Sequence, residues 1–285
     1  MAKTIGNPLT WTVQNARHTG EHFSASLGSV GSEGNWAMPE IRKLEFSDLA
    51  GALGAGFEDF AAARADVIFI ALIYPIAGLL LVTLGLSMDL LPLVVPLILG
   101  FALLGPVAAI GVYEMSRRRE AGDNPDWLDA FGVIRSPSIG AIVVLGGYLA
   151  GLFIAWIVAA NMIYALTLGP EPPTSIMQFI RDVFTTGAGW AMILFGTLIG
   201  GLFAFAALAT SLVSFPLLLD RKVGLPVAVV TSYRVLRTSP VVALSWGAIV
   251  GALLALGSVP MLLGLIVVVP VLGHATWHLY RRAVI

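Results

Sequence analysis

"LPLVVPLILGFALLGPVAAIGVYEMSRRRE", Leu91–Glu120, is the stretch that decides the fold. From Leu91 to Tyr113 it holds no charged residue; Glu114 and then Arg117, Arg118 and Arg119 follow. A helix rises about 1.5 Å per residue, so about 20 apolar residues cross a bilayer core. A run of that length closed by arginines reads as a transmembrane helix whose basic flank stays in the cytoplasm.

Composition agrees with that reading. The 285 residues are 58% hydrophobic and 12% charged, against about 45–50% and about 25% in soluble domains. The net charge of −1 offers no basic surface for nucleic acid. Absence of cysteine excludes disulfides, thiolate zinc sites, iron–sulfur clusters and cysteine nucleophiles.

Working outward, six spans are expected: 65–86, 90–113, 138–166, 187–219, 240–256 and 259–280. Only "GS" before Pro260 separates the last two, so a bent, re-entrant pair is an alternative there. The fold class is therefore all-α: a polytopic helical bundle of three hairpins. Residues 1–45 form a polar arm without signal-peptide character, and 46–285 form the membrane domain. A surface helix with Ser47 as N-cap and a stripe of Phe46, Leu49, Leu53, Phe57 and Phe60 is expected before the first span. A second, on the outer side, follows Thr174 or Ser175.

Nearly all basic residues fall before span one, between spans two and three, between four and five, or after six. Only Arg181 falls on the other side. Both termini are thus expected in the cytoplasm of a bacterial inner membrane protein. The chain also repeats weakly in thirds, each a surface helix, an outward span and a returning span. "GPVAAIGVYEMSRR" (Gly105–Arg118) aligns without gaps to "VPVLGHATWHLYRR" (Val269–Arg282), with "TSLVSFPLLLDRK" (Thr210–Lys222) as a degenerate middle copy. Gly147/Gly151, Gly196/Gly200 and Gly247/Gly251 form three GxxxG motifs, expected to pack helices within the chain.

Candidate chemistry is sparse. No ionisable residue lies near a span midplane, where transporters and pumps carry them. His274 and His278 stand four apart on one helix face, the spacing of a metal pair. The simpler reading makes them polar residues at the wet end of span six. There, an interhelix contact between His278 and Glu114 is expected, with Trp277, Arg281 and Arg282 as interfacial anchors. Histidine on a single span excludes an intramembrane bis-histidine haem within one chain. No hydrolase elbow, zinc-protease, Walker or dinucleotide motif occurs. No catalytic residue, metal or cofactor is therefore assigned.

Four segments carry a family resemblance: "PEIRKLEFSDLAGALGAGFEDFAAA", "FALLGPVAAIGVYEMSRRRE", "SLVSFPLLLDR" and "GLIVVVPVLGHATWHLYR". From Pro39 to Arg282 the chain resembles an uncharacterised family of bacterial six-pass membrane proteins, some labelled as cytochrome c oxidase subunits. The resemblance implies a helical membrane fold and transfers no catalytic residue.

The expected function is a non-catalytic accessory or assembly subunit of a larger membrane complex, of respiratory type if that label is followed. Its partners are membrane lipids and other integral subunits. A small-solute or lipid transporter, lined by Tyr74, Tyr148, Thr210 and Ser214, is the alternative. An enzyme using Glu114, His274 and His278 is a third reading.

Overall fold

The computed structural model describes residues 37–62, 90–123, 125–260 and 262–285, with Ile76, Leu79 and Thr83. Among them, regular structure is helical apart from one antiparallel bridge, Ile41 with Val284. The helices are α1 (Phe46–Ala62), α2 (Leu91–Glu120), α3 (Ile139–Thr167), α4 (Ile176–Thr185) and α5 (Gly187–Ser211). Then come α6 (Ser214–Asp220), α7 (Leu225–Thr238), α8 (Pro240–Ser258) and α9 (Leu265–Ala283). A 3-10 helix, Trp127–Arg135, precedes α3.

Among the described residues four helical stretches are long and apolar enough to cross a membrane: Leu91–Glu120, Ile139–Thr167, Gly187–Asp220 and Pro240–Ser258. They correspond to expected spans two to five. The expected span at 65–86 lies outside the described residues. The expected sixth span is corrected in register and character. Residues 259–260 and 262–264 lie outside regular helix, with Leu262 at φ 67°, and α9 begins only at Leu265. Its second half carries His274, His278, Arg281 and Arg282, and it does not reach the apolarity of the other four.

Prolines set the breaks. Pro106 has no N–H for the Ala102 carbonyl, and Ala102–Leu104 tightens to a 3-10 turn just ahead of it. Pro216 does the same to Leu212, where α5 gives way to α6. The Trp156 indole of α3 donates to the Pro96 carbonyl of α2 at 2.9 Å. Gly100 makes this approach possible, since a Cβ there would stand 2.6 Å from the Trp156 ring.

The surface helices dock cyclically. The 3-10 helix packs on α2, α7 packs on α5 and α6, and α1 packs on α9. Each of the first two lies on the returning span that precedes it in sequence. α1, at the head of the order, lies on the last one and closes the ring. α6, α9 and the Ile110–Glu120 part of α2 also touch one another pairwise.

The described end of the arm is not loose. Arg42 N–H donates to Ala283 O at 2.9 Å, Ile285 N–H to Glu40 O at 3.0 Å, and Leu44 N–H to Ser239 Oγ at 2.8 Å. The α1 stripe divides between two environments. Leu49, Ala52 and Gly56 are buried, while Phe46 and Phe57 are 59% and 58% exposed. The cause is closeness to α9: a Cβ on Gly56 would lie 2.6 Å from the Ala275 nitrogen. Near Gly56 only a small residue fits that line, and the Phe46 and Phe57 rings point away. Ser47 is not the cap either. The Asp48 carboxylate accepts from Glu45 N–H at 2.8 Å and anchors the first turn. On α4, Ser175 is the N-cap, accepting from Gln178 N–H at 3.2 Å.

The GxxxG expectation is corrected in part. Gly200 lies against Trp156 and Gly247 against Leu208. Gly147, Gly151, Gly196 and Gly251 have open space where a Cβ would stand. Among the described residues none of the three motifs forms a two-glycine contact.

Candidate functional site

Basic residues at one end of the bundle draw together α1, α2, α6 and α9. Arg117 and Arg118 stand three and four residues after Glu114 on α2, within helical reach of it. Arg117 grips Glu114 twice, at 2.8 and 2.7 Å, and Arg118 once, at 2.8 Å. Arg118 also bonds Asp129 of the 3-10 helix, whose first turn is held by a reciprocal Asp126–Asp129 cap. Glu114 is therefore fully engaged.

His278 turns instead to α1. Its Nε2 lies 2.8 Å from Asp59 Oδ2, and as the partner is a carboxylate the ring N–H donates. The expected Glu114–His278 contact is thus replaced by Asp59–His278. Arg119 reaches Asp59 as well, at 3.3 Å to Oδ1 and 3.2 Å to the backbone oxygen.

His274, one turn earlier, is 2% exposed. Its Nδ1 is 2.7 Å from Ser116 Oγ, which is itself 3.4 Å from Asp59 Oδ2. Ser116 has one hydrogen to give. One assignment satisfies every hydrogen: Nδ1–H of His274 donates to Ser116, Ser116 donates to Asp59, and His278 donates to Asp59. It leaves His274 Nε2 a bare lone pair, and that atom is buried without a partner. Burial raises the Asp59 carboxyl, but the His278 hydrogen bond, the two histidines and Arg119 outweigh it and hold it below its ordinary 3.8.

Serine, histidine and aspartate meet here without forming a nucleophilic triad. A triad needs the imidazole between hydroxyl and carboxylate, one nitrogen on each. In this cluster Ser116 is the middle member and is only 1% exposed. The chain can fasten α1 to α2 and α9. Among the described residues no group of three His, Asp or Glu side chains is arranged to hold a metal ion.

A second set of bonds closes the centre. Trp277 is fully buried and donates to Glu120 Oε2 at 3.0 Å. Arg281 donates to Glu120 at 3.0 Å and to Asp220 at 3.2 Å, and Tyr280 to Asp220 at 2.6 Å. Arg282 bonds the His278 carbonyl at 3.2 Å. Of the expected interfacial anchors, Trp277 is enclosed by protein, while Arg281 is exposed and Arg282 half-buried. α9 is surrounded by α1, α2, α6 and α8, so its aromatics face protein. Trp277, Tyr280, Phe215, Leu217 and Leu279 are buried together there.

The hydroxyls expected to line a pore do not converge. Thr210 donates to Ala206 O, and Ser214 to Thr210 O and Ala228 O. Tyr148 points outward, 43% exposed. Tyr74 lies outside the described residues. The signal that marks Asp59 was present in "GALGAGFEDF": Ala52 and Gly56 recur at a spacing of four and permit close docking, with Asp59 one turn further on.

Long apolar helices around a buried, hydrogen-bonded end define a helical integral membrane protein. Residues 94–220 match the family model described as "Predicted integral membrane protein (DUF2189)". The matched stretch holds one of the four segments that carried the resemblance and all but the last residue of a second, and an uncharacterised membrane-protein family agrees with that resemblance. The cytochrome c oxidase label gains no support from it. No curated protein and no solved structure matches this chain.

Proposed function

We propose that this chain is a non-catalytic accessory or assembly subunit that packs beside another integral membrane protein. The observation that carries this reading is the outward face of α3. Gly147, Tyr148, Gly151, Ile154, Val158, Asn161 and Met162 recur along one exposed stripe. Its glycines have open space before them, and neither Tyr148 nor Asn161 has a hydrogen-bond partner among the described residues. A glycine furrow admits a second helix backbone, and polar side chains in a span favour an interhelical bond over lipid. The closed basic end supports the same reading over transport, because fully buried Trp277, Tyr280 and Phe215 occupy the place a pore would need.

The reading includes a bacterial cytoplasmic membrane with the basic end inward, as the distribution of arginines favours. A respiratory complex is the first partner to look for, on the strength of the family label alone. Affinity purification from native membranes in mild detergent, with mass spectrometry, tests the proposal. A defined set of co-purifying subunits that is lost on Gly151→Leu supports it. Recovery as a lone species, unchanged by that substitution, overturns it.

A further inference from the structure

Most arginines at the basic end are bound by carboxylates or carbonyls. Two are not: Arg135 and Arg237 are exposed and have no hydrogen bond or ion pair among the described residues. They occupy matching places in the threefold scheme. Each stands at the end of a surface helix, two or three residues before a corner proline, Pro137 or Pro240, and just ahead of a span.

Both corners have the same surroundings. Beside Arg135, Leu128 and Ile134 are 57% and 67% exposed; beside Arg237, Val230, Tyr233 and Val241 are exposed. Exposed apolar side chains on a surface helix set its depth at the boundary between headgroups and acyl chains. Each corner is also the N-terminal end of a long helix, α3 or α8, where the helix dipole is positive. Charge, depth and dipole all suit a phosphodiester.

We propose that the Arg135 and Arg237 corners are two quasi-equivalent binding sites for the headgroups of anionic phospholipids in the adjoining leaflet. The guanidinium pairs with the lipid phosphate, and the neighbouring apolar side chains lie along its acyl chains. A cation at this depth is worth about 1 kcal/mol toward an anionic lipid, roughly a fivefold preference per site.

Native mass spectrometry of the full chain, relipidated in equal parts phosphatidylglycerol and phosphatidylcholine, tests this. The wild type should retain two phosphatidylglycerol molecules in preference to phosphatidylcholine. Arg135→Gln and Arg237→Gln should each lower the preference at one site roughly fivefold. Arg135→Lys and Arg237→Lys should keep most of it, and Lys222→Gln, an equal loss of charge elsewhere, should leave it unchanged. Raising salt on the wild type gives an independent arm that needs no variant, and the preference should fall. Retention of the preference in both glutamine variants, or its equal loss in the lysine variants, or its indifference to salt, overturns the proposal. An acidic protein partner at these corners would show itself as the first of those outcomes.

Discussion

Asp59 accepts more bonds than any other carboxylate that holds α1 in place, and its titration should be visible. Its native carboxyl titrates below 3.8, so it contributes stability above that pH and loses the contribution as pH falls through the lower native value. Asp59→Asn should lower the melting temperature near neutrality. The gap between variant and wild type should close as pH drops below 3.8. Thermal unfolding in detergent across that range checks this, and a gap that stays constant refutes it. Asp48, held below its ordinary value against its own burial by Glu45 N–H and Arg42, is present in both proteins and cancels. Trp277 gives a second residue-scale test. Trp277→Phe keeps most of the ring but loses the donor to Glu120, a charged acceptor, which should cost about 1–3 kcal/mol in chemical unfolding. A cost near zero would mean that bond contributes nothing. The sequence shows the helical partners of Glu114, because spacing within a helix is legible. It does not show that Asp59 and His278, 219 positions apart, would meet.

Elements were legible in proportion to their apolar length. Four helices long and apolar enough to cross a membrane overlap expected spans two to five, the first running seven residues past its expected end, since burial in hydrocarbon leaves a one-dimensional signal. α9 was harder, because half of it is polar and is buried by protein rather than lipid. The docking line of α1 was not legible for a related reason. Five large apolar residues suggested a stripe, whereas proximity to α9 selects the smallest residues. Gly56→Leu should therefore be far more damaging than its exposed-helix context suggests. The new side chain would meet the α9 backbone at Ala275, which cannot rotate aside, so the cost should exceed the usual 1–3 kcal/mol of overpacking. Limited proteolysis should then cut near Asp59, and wild-type resistance in the variant would sink this reading. Gly54→Leu, where the space is open, is the matched control.

The whole molecule is tied at its described ends. Ile41 and Val284 face each other across an antiparallel bridge, a pairing in which Cα atoms lie about 4.5–5.5 Å apart, within disulfide range. The natural chain has no cysteine, so Ile41→Cys with Val284→Cys creates a single possible bond. It should form on mild oxidation and raise stability by about 2–5 kcal/mol. Failure to form it, judged by gel mobility, would mean the ends do not meet in the membrane. The ring also fixes an order of events during synthesis. Gly56 leaves the ribosome 219 residues ahead of Ala275, the residue it packs on. At about 5–20 residues per second, α1 must wait roughly 10–40 seconds for its docking surface. Throughout that interval Leu49, Ala52 and Asp59 have no final place. Every nascent chain truncated before α9 carries the same exposed helix, which gives the cell's proteases a direct mark of an unfinished molecule.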